Sequence, residues 1–527
     1  MRKSFSIMSA VVLFLYLASC ETKGPEEQSV VIGPDTVPVS LDTYKNIWYV
    51  SATSGSDSDG DGTQDKPWQS LSHALRQITD ASVDNRYAIL VASAVYSNTP
   101  LKMKSYVDLY GGFNATDWQR DVLKNRTVLT GGGERRVIIG ADSSRLDGFT
   151  VLSGKIRGKG AGLFCSGTSP IISNNVFMNN KTLGPIPWRP KNLHEVANDG
   201  GAIYCENGSS PVLENNIFVN NTTEIGRGAA IAFHSKCNGR IANNVFLNNI
   251  AGTDDPMRSS DGGAISIFDW SSPVVENNLI LNNEALATND AGGIFVALWS
   301  SPRIINNIFV GNRCADDAGG LFVGGQEHRY DMPLDPLPAE DEFFVLIEGN
   351  TFIGNSNPSQ NSGAMRFTME SRGVFRNNTV AHNTGIYFQK CEVVIEKNVI
   401  FDNFLFIEPK TGMKSSMIKD NLILGDFTLE VEAQVSNNIL NVDSNDPRFI
   451  NDWHEIRAAA AQYSRKTNTT NFFVLESNFE RIQLVNRIIK IGNRWSVVKS
   501  NVQNRVEVWG NFSGEVNITV LPTYQIK

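Results

Sequence analysis

Between Lys159 and Gly325 short apolar runs alternate with Gly, Pro, Ser and Asn in one phrase repeated five times. One copy runs from Asp199-Gly200-Gly201-Ala202-Ile203 through Ser209-Ser210-Pro211 to Glu214-Asn215-Asn216-Ile217-Phe218-Val219-Asn220-Asn221. It returns from Asp261 to Asn283 and from Asp290 to Asn312, with looser copies over Lys159–Asn180 and Gly228–Asn249. Each copy holds two strand signals rich in Val, Ile and Phe, both too short for an ordinary helix. A long internal period built of such pieces predicts a solenoid.

The periodicity also predicts what faces inward. One coil cannot cover its own apolar side, but the coils above and below it can. Ile203, Ile231, Ile265 and Ile294 are expected to stack as one internal column, and Phe218, Phe246 and Phe309 as another. Successive Asn anchors (Asn175, Asn216, Asn244, Asn278, Asn307, Asn350, Asn378, Asn398, Asn421 and Asn438) lie 17 to 43 residues apart. The short gaps fit one coil of a parallel β-helix, and the long gaps fit coils carrying loops. An inward Asn at a bend can bond the turn backbone and the Asn of the next coil.

The Gly-Gly-Ala-Ile and Phe-x-x-Asn pair resembles the repeat of right-handed parallel β-helix proteins, the pectate-lyase-like superfamily. The repeats are similar to those of polymorphic outer-membrane proteins. That resemblance implies an all-β, right-handed parallel β-helix over residues 46–450. It says little about activity, because one fold carries many functions. Tyr110-Gly111-Gly112-Phe113 and Leu146-Asp147-Gly148-Phe149 also resemble family signatures and read as structural.

Before the solenoid, residues 1–19 carry a charged start, Arg2 and Lys3, and an apolar core too short for a membrane span. Leu17-Ala18-Ser19-Cys20 resembles a bacterial lipobox, which implies lipidation of Cys20 and a protein anchored to the bacterial cell envelope. Residues 20–45, with Pro25, Pro34 and Pro38, read as a flexible tether. A short amphipathic helix from Leu71 to Ile78, begun by Ser70, is expected to cap the open end of the solenoid. Asp57-x-Asp59-x-Asp61-Gly62, with Asp65, resembles the start of a calcium loop. Trp68 stands where that loop family has Glu, so the competing reading is a solvated turn.

The 527 residues have 41% hydrophobic composition and a net charge of −8, with a pI near 5.5. Nothing basic enough for nucleic acid appears. Cys165, Cys205, Cys237, Cys314 and Cys391 show no metal spacing, and Cys165 and Cys205 hold equivalent places in adjacent repeats. Residues 451–527 change character. They read as a short helix over Ile456–Tyr463 followed by antiparallel strands, a small β subdomain closing the lower end.

Insertions at one turn of successive coils, from Lys181 to Asp317, are expected to share a side and build a groove. They bring Trp188, Arg189, His194, Asp254 and Asp255, with Arg227, Asp290, Asp316 and Asp317. A second turn carries Glu206, His234, Asp269, Trp270 and Trp299. Two functions compete. In the first, the solenoid side binds polysaccharide or a protein partner, with Trp188, Trp270 and Trp299 as stacking platforms; the competing reading of Trp270 and Trp299 is packing, folded over the coil edge. In the second, a polysaccharide lyase or hydrolase uses His194 or Arg189 with Asp254 and Asp255, an anion being stabilised by calcium or Arg. For Asp199, Asp261, Asp290 and Asp317 the plainer reading is a turn-starting role.

Overall fold

The computed structural model describes residues 33–34, 39–97, 100–184, 198–253, 260–286, 290–326, 338–339, 341–358, 362–407, 413–430, 433–440, 454–474, 484–502, 504–515 and 517–520. One coil shows how the chain winds. Ile203–Glu206 lies in a first sheet, Val212–Glu214 in a second, Ile217–Val219 in a third and Thr222–Thr223 in a short fourth, before Ile231–Phe233 rejoins the first. The four sheets hold 12, 14, 13 and 6 parallel strands among the described residues. The second sheet runs from Asn46–Val50 to Gln434–Ser436.

The expected columns are present. Ile203, Ile231, Ile265 and Ile294 pair in register and are fully buried. Phe218 pairs with Phe246, and Phe309 with Phe352, their rings stacked at 4.9 and 4.6 Å. Ile280 takes the intervening place in that column. Cys165 and Cys205 are register partners, buried and unbridged.

The Asn-Asn pairs divide their labour. Asn215 turns the chain with a left-handed φ of 57°, which Asn tolerates better than most residues. Asn216 points inward. Its backbone N–H and its Nδ2 both donate to Asn244 Oδ1, at 2.9 and 3.0 Å, and Nδ2 also donates to Ile172 O at 2.9 Å. The pattern repeats from Asn175 to Asn438. A second ladder climbs the next corner through Asn180, Asn221, Asn249, Asn283, Asn312, Asn355 and Asn383, ending on Asp402. Gly-Gly solves the opposite corner. Gly200 takes φ 69°, and a Cβ on Gly201 would stand 2.4 Å from Ala229 O in the next coil.

At the upper end Leu71–Gln77 is helical, with Ser70 as its N-cap, and packs Leu71, Ala74 and Leu75 into the main core. Two expectations for the rest of the chain are corrected. Residues 456–463 are not helical: His454–Ser464 is a strand, because pairing with Thr469–Val474 on one side and Asn517–Val520 on the other outweighs the helix preference of its four alanines. The barrel they begin does not close the lower end. Its six strands (454–464, 469–474, 505–509, 494–502, 488–491 and 517–520, in spatial order) form a closed antiparallel ring docked on the outer flank of the third sheet. There Val497, Trp509 and Trp495 pack on Val219, Val245, Leu247, Leu281 and Val310. Asn282 Nδ2 donates to Trp495 O at 3.2 Å, and His382 stacks on the Trp495 ring at 5.7 Å.

Part of the proposed tether is also laid down. Val39, Leu41 and Tyr44 pack on Ala88, Leu90 and Tyr110, and Gly33 N donates to Asn243 O at 3.0 Å. Cys20 lies outside the described residues.

Two measurements probe the ladders. Asn278→Ala leaves Asn244 N, Asn244 Nδ2 and Ile241 O without their partner. We expect a loss of about 3 kcal/mol or more in denaturant unfolding. Asp402, where the second ladder ends, is different, since burial lifts its carboxyl from 3.8 to about 6. A carboxyl raised by folding loses stability as it ionises, so its cost is absent below pH 3.8 and complete above about pH 6. Asp402→Asn should therefore raise stability near neutral pH by roughly 2–3 kcal/mol and do little at pH 3.8, as unfolding midpoints at the two values will show.

Candidate functional site

The outer face of the first sheet gathers the chemistry. Register sets up two outward columns there. One contains Phe164, Tyr204, Ala232, Ser266, Phe295 and Phe322. The other contains Glu206, followed one coil on by His234 and two coils on by Phe268. The small side chains of Ala232 and Ser266 leave room, and the rings of His234 and Phe268 fill it. The outcome is a continuous outer ladder: Phe164–Tyr204 at 6.0 Å, Tyr204–His234 at 6.4 Å, His234–Phe268 at 5.3 Å, Phe268–Phe295 at 6.4 Å and Phe295–Phe322 at 5.3 Å. Cations sit against it, Arg136 on Phe164, Lys159 on Tyr204 and Arg227 on Phe268, at 4.5, 4.8 and 4.3 Å.

Ion pairs tie the ladder to the turn before it. Asp199, Arg227, Asp261 and Asp290 stand one above another, linked by Gly200 N to Arg227 O, Gly228 N to Asp261 O and Gly262 N to Asp290 O. Arg227 lies 3.9 Å from Asp199 and 3.4 Å from Asp261, all three buried. Burial pushes the Asp261 carboxyl up, and Arg227 opposes it. The expected turn-starting role holds with a difference. Asp199 accepts from Arg227 N at 2.7 Å and Asp261 from Asp290 N at 3.1 Å, so each bonds the next coil rather than its own turn. Further along, carboxylate oxygens of Asp290, Asp316 and Asp317 lie within 4.8 Å of one another, and Asp317 pairs with Arg366.

On the other edge lies a proton-bearing chain. Lys159 Nζ donates to Tyr204 Oη at 2.9 Å, and Tyr204 Oη and His234 Nδ1 are hydrogen-bonded at 3.1 Å, the donor set by the imidazole tautomer. Lys159 is 3.7 Å from Glu206, and His234 Nε2 is 3.9 Å from Asp269. Burial, with Asp199 and Glu206 nearby, holds the Tyr204 phenol protonated. Burial also lowers His234, joined by Lys159 and Arg227 and opposed by Asp199 and Asp269. Tyr204 itself is inaccessible, whereas the side chains of Lys159, Glu206, His234 and Asp269 are 21–28% exposed.

Several expected site residues sit elsewhere. Trp299 is 1% exposed, edge-on to Phe343, so it is packing and not a sugar platform; an αL backbone at φ 55° folds it over the coil edge. Trp270, with the same turn, is half-buried against the core. Trp188, Arg189, His194, Asp254 and Asp255 lie outside the described residues. The carboxylates that resemble the start of a calcium loop bond to nearby protein groups. Asp57 accepts from Gln69 N, Ser70 N and Ser70 Oγ, Asp59 from Ser56 and Ser58, and Asp61 from Thr63, while Asp65 is exposed. Asp57 thus holds the helix N-cap, while Asp59 and Asp61 bond within their own turns. Sequence reasoning missed Lys159 and Tyr204, whose signal was an outward Tyr in a strand between two inward residues.

Residues 123–329 match the family model for the right handed beta helix region. The fold is a right-handed parallel β-helix. Comparison with curated proteins gives no match. Among solved structures, the β-helix is similar to the tailspike protein of E. coli bacteriophage HK620 in complex with a pentasaccharide, at 10% identity and TM-score 0.33, covering 92% of this chain and 94% of that one. It is also similar to the GH136 lacto-N-biosidase of Eubacterium ramulus, at 11% identity and TM-score 0.32, over 76% and 68% of the two chains. A third likeness is to the tailspike gp49 of Acinetobacter baumannii bacteriophage Fri1, a capsular polysaccharide depolymerase, at 11% identity and TM-score 0.29, over 90% and 87%. At such identities and scores none of them locates a site in this β-helix.

Proposed function

We propose that this β-helix binds polysaccharide along its flank, at the row Lys159, Glu206, His234 and Asp269. The observation that carries the reading is that this row is half-open and held by its own ion pairs above a stacked ladder. Donors and acceptors fixed before a ligand arrives lose little entropy on binding. Coils rise by about 4.8 Å, close to the length of a sugar ring, so a glycan lying along the axis meets one coil per residue. Binding is favoured over turnover because the buried Tyr204 hydroxyl is engaged on both sides and cannot reach a substrate proton. A hydrolase needs two open carboxylates, whereas Glu206 and Asp269 each face a basic neighbour.

The test is a panel of acidic and neutral polysaccharides, followed for binding and for new unsaturated or reducing ends. We expect retention without turnover, weakened about tenfold or more, roughly 1.4 kcal/mol, in Lys159→Ala/His234→Ala. Product formation abolished by that double variant would overturn the binding reading.

The reading extends to location. The Leu17-Ala18-Ser19-Cys20 motif supports lipidation of Cys20 and an envelope-anchored solenoid that presents its flank to a glycan. Metabolic labelling with a fatty acid should then require Cys20, and labelling that survives Cys20→Ala counts against the anchor.

A further inference from the structure

A pocket of about 530 Å³ opens on the outer face of the second sheet at the first coils, separate from the row on the first sheet. Its floor is a charge network that the flank reading does not use. Asp108 and Asp147 are buried to 3% and 4% exposure. Asp108 accepts both oxygens' worth of contact from Arg86 Nη2, at 2.9 Å each, and a 2.5 Å bond from Tyr44 Oη. Asp147 pairs with Arg120, accepts from Ser173 Oγ at 2.6 Å, and lies 3.6 Å from Arg145. Burial, with Asp108 beside it, holds the Tyr44 phenol protonated, so Tyr44 and Tyr110, 2.7 Å apart, add no charge.

Three guanidiniums thus meet two buried carboxylates. Arg120 is nearly enclosed at 10% exposure, but Arg86 and Arg145 keep 33% and 26% open and both line the pocket. Arg86 uses Nη2 on Asp108 and Ser143 O, and Arg145 uses Nη1 on Ser173 Oγ. Among the described residues their remaining N–H donors have no partner. Asp142, at the rim, is exposed, and solvent screens it. Residues Val39 to Tyr44 form the opposite wall and contribute Ser40 and Thr43 hydroxyls beside the Tyr44 ring.

We infer that this pocket binds one acidic saccharide residue, its carboxylate on the open donors of Arg86 and Arg145 and its hydroxyls on the surrounding serines, threonine and Asp142. Forked guanidiniums suit a planar carboxylate, and the volume suits a ligand of one or two rings. The buried aspartates hold the guanidiniums in place so that little is lost on ordering them.

Calorimetry on the full chain with glucuronate, glucose and inorganic sulfate decides. Glucuronate should bind, with glucose and sulfate each at least tenfold weaker. Arg145→Gln should weaken glucuronate at least tenfold at an unchanged melting temperature, while Lys159→Ala/His234→Ala leaves it unaltered. That last arm separates this pocket from the flank. Where Arg145→Gln melts early, Arg145→Lys, which keeps the charge and loses the fork, must show the same weakening at wild-type stability. No heat with glucuronate, sulfate binding as tightly as glucuronate, or Arg145 variants that bind as wild type would each overturn the inference.

Discussion

A solenoid must bury the polar backbone of each corner it turns, and that constraint governs the molecule. Two corners meet it with amide ladders. An Asn amide offers two donors and two acceptor sites, and here Asn216 donates to the Asn of the coil above and to a carbonyl of the coil below, whose own Asn donates back to it. Nothing is left unpaired, so the corner can be fully buried. Because every rung's acceptor is the next rung, the ladder also fixes register, and the Ile and Phe columns follow from it. Gly-Gly meets the same demand differently, by letting neighbouring backbones approach where any Cβ would collide.

Once the interior is fixed, the outer faces are free to differ, and they do. The third sheet is apolar outside, with Val219, Leu247, Leu281 and Val310, and it accepts the barrel. The first carries stacked aromatic rings with cations set against them and leaves an edge of charged groups half-open. The second keeps its charges in surface pairs such as Arg240 between Glu214 and Glu276, and deepens into a pocket only at its first coils. Three faces of one repeated unit therefore present three chemistries.

The interior was legible because repetition multiplies the signal: ten Asn anchors in similar surroundings cannot be surface accidents, and the structure puts all ten in one ladder. The turn-starting Asp residues were legible as structure, though not the coil they bond. What misled was local pattern read without its neighbours. Four consecutive alanines look helical until two strands flank them. Asp57, Asp59 and Asp61 match the spacing of a calcium loop, but the Trp68 ring lies against Gly62, and the carboxylates take different partners, Asp57 at Ser70, Asp59 at Ser58 and Asp61 at Thr63. Trp299 could be read as platform or as packing because its column was legible and the direction of its ring was not; the ring is buried. The Lys159–Tyr204–His234 chain joins residues from three coils, 45 and 30 positions apart, and no single repeat contains it.

Gly33 lies against Val245 and Ile217 of the solenoid and Trp509 of the barrel. The beginning and the end of the described chain thus meet halfway along the third sheet. A pull applied upstream of Gly33 would therefore load the bond from Gly33 N to Asn243 O, midway along the solenoid, before it reached the first strand at Asn46–Val50.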